Sequence, residues 1–514
     1  MKRILNFNFK ALACLLAMIA VSCTNLEIEQ TDSVIDTESA GGTFQGVADV
    51  DAAVQDLYNS VYGQLGDQAN FFALNEVSTD ETLVPTRGTD WGDNGIWRTL
   101  HAHTWSPTHQ YILNTWNNLN QNVFRATEII DPASSASALR KAEAQFLRAF
   151  SMYFVLDFWG VAPFRGVNDG ADVDPSVFTA SEAYDFIMTD LNDAVANLPV
   201  SGPSADLNRA TRAAANFLKA KVMLNSERYT GSAPNYQGVI DAVNAIEGDG
   251  FALQSGYFDI FKEDVDNETV WWAATSVGNR IWNGMHYHII APDNTGGGWN
   301  GFTTLAEFYD KFEGAPNTNY VGDGQEERRG WVPDAGNADA TNLGIGYGFL
   351  VGQQYDVNGN ALNDRGGNPL VFSRDLPGLS GNTEETGIRM IKYHPVNGSF
   401  ANHEIVFRFA DAHLMRAEAM MRMGGDASVE VNELRTLRGA SPLGSVTEST
   451  MLDERARELY VEFWRRNDLL RFNQYTSDWE FKDPNSVGDV NRRLYPIPIN
   501  ALLSNPNLAQ NPGY

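Results

Sequence analysis

Apolar residues recur three or four positions apart through much of the chain, the spacing that lays one face of an α-helix against a core. Ala52, Leu57, Tyr58 and Val61 mark one such run, and Trp116, Leu119, Val123, Phe124, Ile129 and Ile130 mark a second. The same period predicts helices over 144–158, 184–198, 213–225, 405–423, 429–437 and 452–470. Two of these carry alanine where helices must approach closely, at Ala213-Ala214-Ala215 and Ala417-Glu418-Ala419, each before a short break and another helix. Pairs of this kind look tetratricopeptide-like, although no strict period of about 34 residues accompanies them. The expectation is a mainly α fold with its helical scaffold in 49–250 and 400–514.

Between about 250 and 400 the pattern gives way to Gly, Asn, Asp and aromatic residues with few helical runs. Such stretches lie on the surface and often carry function, so this part is expected to be a loop-rich, partly β insertion held by the helices. Trp97, Trp105 and Trp116 fall beside or within helical apolar patterns, and Trp271-Trp272 follow the strand-like Val270, so these are expected in the core.

The first residues read as an export signal over 1–22, with Lys2, Arg3 and Lys10 ahead of the apolar run Ala11 to Val21. That run is too short for a membrane-spanning helix, which needs about 20 apolar residues. Ala20-Val21-Ser22-Cys23 resembles a lipobox, with Ala20 where leucine is usual, and makes Cys23 the expected site of lipidation. Residues 23–48 would then hold the lipid anchor and a flexible tether, and 49–514 the folded domain. Cys14 and Cys23 are the two cysteines, and Cys14 lies inside the signal, so the mature domain can form no internal disulfide.

Removing the signal takes away Lys2, Arg3 and Lys10 and no acid, which moves the formal net charge from −28 to −31. A surface this acidic repels phosphate backbones and argues against nucleic acid as a partner.

The segment from Glu143 to Pro163, a Leu-Arg-Ala helix ending in aromatic-Gly-x-x-Pro, resembles the hallmark of the SusD/RagB family of Bacteroidetes outer-membrane nutrient-binding lipoproteins. Three further blocks follow in that family's order: Phe407 to Ala419, Glu454 to Tyr460 and on through Arg471, and Leu494-Tyr-Pro-Ile-Pro498. The chain closes on Asn505-Pro506-Asn507-Leu508 and Gln510 to Tyr514, as members of the family typically do. The resemblance spans nearly the whole chain. It implies a lipid-anchored lid on the cell surface that captures oligo- or polysaccharide without catalysis. It also implies delivery to a SusC-like, TonB-dependent outer-membrane transporter. Early acids Glu27 and Glu29 look like a signal for display on the outer face. The hallmark blocks themselves read as scaffold, with Arg148, Glu418 and Arg455 expected in ion pairs between helices.

Sugars offer flat C–H patches rimmed by hydroxyls, so their sites combine aromatic faces with Asp, Asn or Arg. Two loops supply both, Asp80 through Asn94 and Gly296 through Gly301. The expected glycan-binding residues are Trp91, Trp299, Trp282, Asp80, Asp90, Asn300, Arg365 and Tyr393. The run Gly88 to Gly95 followed by His101-Ala-His103-Thr-Trp105 looks like a branch of the family that holds fructans and laminarin-type β-glucans. A peptide-capturing lid of the same family and a glycoside hydrolase are the alternative readings.

No cofactor is expected. His101/His103 and His286/His288 lack the companions of a zinc motif. Asp356-Val-Asn358-Gly-Asn360 begins like a calcium loop but has Ala361 and Gly367 where Gly and Glu belong, which leaves open an irregular, structural calcium site. Gly-x-Ser-x-Gly and P-loop motifs are absent from the sequence.

Overall fold

The computed structural model describes residues 43–514 apart from 171, 204–205, 263–265, 290–296, 334–343, 394 and 396–402. The signal, Cys23 and most of the tether lie outside the described residues, as does Gly296 of the second candidate loop. No helix among the described residues is long and apolar enough to cross a membrane.

Four helices of the first half start where a side chain satisfies free N–H groups. Asp49 caps the helix Val50–Gly66, Ser137 caps Ala138–Trp159, Thr179 forms a capping box with Glu182 at Ala180–Asn197, and Thr211 caps Arg212–Leu224. Ala138–Trp159 is buried on nearly every side, because it packs against both Gln110–Ile130 and Ala180–Asn197. It ends at Gly160, whose φ of 72° is the left-handed turn that lets the chain reverse. Arg212–Leu224 packs in turn on Tyr236–Gly248, and that helix on Phe409–Arg422. The N-terminal and C-terminal helices thus form one helical layer.

Two expected helices are interrupted. Residues 404–408 form a strand, Glu404–Arg408, antiparallel to Thr269–Ala273, before the helix Phe409–Arg422 begins. All five strand residues are buried, so a continuous apolar run here satisfies a strand as well as a helix. The run over 452–470 is split into Glu448–Leu459 and Arg465–Arg471, with Val461 and Phe463 at φ of 53° and 72° between them.

The expected scaffold ion pairs are present. Arg148 grips Asp190 through two bonds of 2.7 and 2.8 Å. Glu418 accepts two from Arg471 at 2.8 Å, and Arg455 bridges Asp411 and Asp468 at 2.7 and 2.8 Å. Trp97, Trp105, Trp116 and Trp271 are buried, and Trp271 packs edge-on against Phe146 and Phe150. Trp272 is half-buried against the ring of His403.

Between these helical halves the described residues hold short strands, turns and the short helices Gly278–Gly284 and Ala306–Tyr309. Gly330–Trp331, Tyr347–Leu350 and Arg389–Ile391 make a three-stranded antiparallel sheet. Fully buried Arg328 ties this region to the scaffold through Glu454 at 2.7 Å and Glu458 at 3.1 Å. Arg408 and Arg438 converge on the same Glu458.

Candidate functional site

Three segments far apart in sequence are stitched together by backbone hydrogen bonds. Leu83 and Thr303 exchange bonds of 2.9 and 3.0 Å, the Thr304 N–H donates to Ile388, and the Gly88 N–H to Asn382. Arg87 and Asp90 close a tight turn on each other, and buried Arg87 donates to Thr383 and Thr386. A second buried arginine, Arg389, donates to Asn300 Oδ1 at 3.0 and 2.8 Å and to the carbonyls of Glu384 and Thr386. The guanidinium groups act here as multi-pronged donors to loop backbone, which otherwise has no ladder to satisfy it.

Trp91 emerges from the first of these loops with φ of 59°, a left-handed conformation that turns its indole toward the second. Its Nε1 donates to the carbonyl of Trp299 at 2.7 Å, and its ring meets that of Trp97 edge-on at 6.1 Å. Trp91 is half-buried, whereas Trp299 is 37% exposed. The backbone carrying Trp299 runs along 282–286, with N–H bonds from Gly298 to His286, Trp299 to Trp282, Asn300 to Met285 and Gly301 to Asn283. Position 301 must be glycine, because a Cβ there would sit 2.7 Å from Trp91 Cε2 and 1.7 Å from Asn283 Oδ1.

Beside the indoles lies a charged relay. Asp90 Oδ2 accepts from Tyr287 Oη and from Arg365 Nη2, both at 2.7 Å. Arg365 stacks 3.9 Å above the Tyr287 ring and also pairs with Glu384, which accepts from its backbone N–H at 3.0 Å. Glu384 accepts in addition from His286 Nε2 at 3.0 Å. Burial drives His286 down to about 4, so near neutral pH its ring is uncharged, with the proton on Nε2 and Nδ1 accepting from the His288 N–H.

The hydrogen bond from Tyr287 and the Arg365 guanidinium hold Asp90 below the usual carboxylate range. For Glu384, burial pushes upward, but the N–H and guanidinium of Arg365 and the His286 bond outweigh it. Neither acid therefore carries a proton to donate near neutral pH, and general acid chemistry has no donor in this pair. What the patch offers is one open indole, a second at its edge, a Tyr–Arg stack, and fixed polar groups around them.

Of the expected residues, Trp91, Trp299, Asp90 and Arg365 come together here. Asn300 stands behind them, fully buried, and orients the loop rather than facing outward. Trp282 is half-buried and supports Trp299 through its carbonyl. Two expected residues lie elsewhere. Asp80 is locked to Arg465 by bonds of 2.7 and 2.6 Å, and Tyr393 is 6% exposed, with its hydroxyl accepting from the Ile405 N–H at 2.9 Å. Both are structural in this arrangement. Tyr287 and Glu384 were not singled out from the sequence, because a tyrosine between two histidines and one acid among many carry no pattern.

The histidines discounted as zinc ligands are engaged otherwise. His101 and His103 bond the carbonyls of Glu480 and Ser78. Among the described residues no three His, Cys, Asp or Glu side chains gather as a metal site. Asp356 accepts from Asn358 and Asn360 within its own loop.

A family model described as the SusD family matches residues 267–514, and one described as starch-binding associating with outer membrane matches 31–224. The starch-binding protein SusD of Bacteroides thetaiotaomicron is 29% identical over 500 residues, covering 89% of this chain and 88% of that protein. In fold, the chain is similar to a SusD-like protein from Bacteroides fragilis, with a TM-score of 0.71 and 19% identity over 94% of this chain and all of that one. It is also similar to surface glycan-binding protein A from Bacteroides thetaiotaomicron in complex with laminarihexaose, with a TM-score of 0.65 and 18% identity over 90% of this chain and 98% of that one.

Proposed function

The chain belongs to the SusD family, and on that premise we propose that it captures oligo- or polysaccharide at the cell surface without breaking bonds. The observation that carries this reading is the pairing of Trp91 with the exposed Trp299 beside the Tyr287–Arg365 stack. An indole face receives the C–H side of a pyranose, and the Asp90, Arg365 and Glu384 groups stand ready for hydroxyls. Trp299 is 37% exposed, which leaves part of its ring free to meet one stretch of a long polymer. Shallow sites of this kind bind in the micromolar to millimolar range, about −8 to −4 kcal/mol.

A laminarin-type β-glucan or a fructan is the substrate class we favour, in keeping with the laminarihexaose held by a structural neighbour. Lipid attachment at Cys23 would place the domain on the outer membrane, where a SusC-like, TonB-dependent transporter would take up the captured chain. The low protonation of Asp90 and Glu384 supports binding over hydrolysis. The aromatic faces of Trp91, Trp299 and Tyr287 favour sugar over peptide.

The test is isothermal titration of the chain beginning after Cys23 against laminarin, levan, starch, xylan and mannan. Saturable heat with one of them, lost in Trp299→Ala, is the expected result. Silence across the panel, or reducing ends accumulating after mixing, would overturn the proposal.

A further inference from the structure

A cavity of about 600 Å3 opens where the ends of the helices Ala138–Trp159, Arg212–Leu224 and Arg465–Arg471 meet the C-terminal segment. It shares no residue with the aromatic patch. Its wall carries four guanidinium groups, Arg228, Arg422, Arg471 and Arg493, against one carboxylate, Glu227. That balance runs against a chain whose formal net charge is −28.

Three acids behind the wall are each shared between two arginines, and Arg422 also meets the exposed Glu448 at 3.6 Å. Asp157 pairs with Arg228 and Arg466, both at 2.6 Å. Glu418 pairs with Arg422 and Arg471 at 2.8 Å, and Asp468 with Arg455 and Arg471 at 2.8 and 2.7 Å. Arg493 has no carboxylate partner among the described residues, and its Nη2 donates to Asn473 Oδ1 at 3.1 Å and to the Leu470 carbonyl at 3.5 Å. Burial, together with the nearby Arg228 guanidinium, disfavours its charge.

Among the described residues, two polar atoms of the wall are buried without a partner: Arg422 Nη2, a donor, and Oδ1 of Asn225, an acceptor on a side chain only 1% exposed. Buried groups left this way are costly unless something completes them.

We propose that this cavity is a second ligand site, which takes a sugar unit carrying a carboxylate or sulfate group. Arg422 and Arg493 hold the oxyanion, Asn473 meets hydroxyls, and the half-buried Tyr236 lends a ring face. Guanidinium groups match both oxyanions, whether trigonal or tetrahedral. The size of the cavity suits one or two sugar rings better than a length of acidic peptide. The inference stands apart from glycan capture at Trp91 and Trp299, and either can fail without the other.

The experiment titrates the chain beginning after Cys23 with methyl glucuronide, glucose 6-sulfate, methyl glucoside and a short glutamate-rich peptide. At least one acidic sugar is expected to bind saturably, and the neutral one not at all. Arg493→Gln and Arg422→Gln should each weaken that binding about tenfold, the loss expected for a charged hydrogen bond. Arg493→Gln, which breaks no ion pair, should leave the melting temperature unchanged. Trp91→Ala should leave acidic-sugar binding intact. No saturable binding of either acidic sugar, equal affinity in both arginine variants, equal binding of the neutral sugar, or binding of the peptide alone would each overturn the proposal.

Discussion

Trp91 and Trp299 are 208 positions apart, yet the indole N–H of the first donates to the backbone carbonyl of the second at 2.7 Å. One tryptophan thereby fixes the loop that displays the other, so the two are coupled in energy as well as in place. Trp299→Ala removes a ring that is 37% exposed and lies outside the buried core. It is expected to weaken glycan binding at least tenfold, about 1.4 kcal/mol, with a nearly unchanged melting temperature. Trp91→Ala is expected to lose as much affinity and also to lower the melting temperature, since it vacates the contact with Trp97. Titration and calorimetry on both variants separate the two roles.

Gly301→Ala should act through the same coupling, because its Cβ would collide with Asn283 and the Trp91 ring. A loss of about 1–3 kcal/mol of stability together with weakened binding is expected. Gly92→Ala in the neighbouring loop meets nothing within 4 Å and should be silent in both measurements.

Arg148→Ala leaves Asp190 buried without its two-pronged partner. Breaking a buried pair from one side costs about 3–5 kcal/mol, so the melting temperature should fall markedly. Affinity of the folded fraction should not change, and a weakened affinity at normal melting would show that the arginine serves the ligand.

Burial raises Glu76 to about 7, next to a second buried carboxyl, Glu81, that is also pushed upward. A group whose folded pKa lies above its unfolded value stabilises at low pH and loses that contribution as pH rises through the folded pKa. Burial has the opposite consequence for His101, lowered to about 4, whose contribution is present above its unfolded value and lost as pH falls toward 4. The Glu76 contribution is therefore lost as pH rises from its ordinary value to about 7 and is constant above that, so the urea midpoint of the natural chain relative to Glu76→Gln is expected to fall over that window and to level off beyond it.

Asp90 and Glu384 are held ionised and His286 neutral across the ordinary range, so glycan affinity should be flat from about pH 5 to 8. A steep change in affinity within that window would mean that another titrating group contacts the ligand.

The sequence by itself determined most of the helices. Apolar spacing and the Asp49, Ser137, Thr179 and Thr211 starts are local, and a helix satisfies its own backbone. It also marked Trp91 and Trp299, because a large ring among Gly and Asn has no helical or strand pattern to bury it. Tertiary structure decided the rest. Whether 405–408 became strand or helix turned on Thr269–Ala273 being available to pair. Whether Asp80 faced a ligand or a cation turned on Arg465, 385 residues away. Tyr287 and Glu384 joined the patch only because Arg365 and the backbone bonds among three distant loops brought them there. Loops borrow their hydrogen-bond partners from elsewhere in the chain, so their arrangement exists only once the fold supplies those partners.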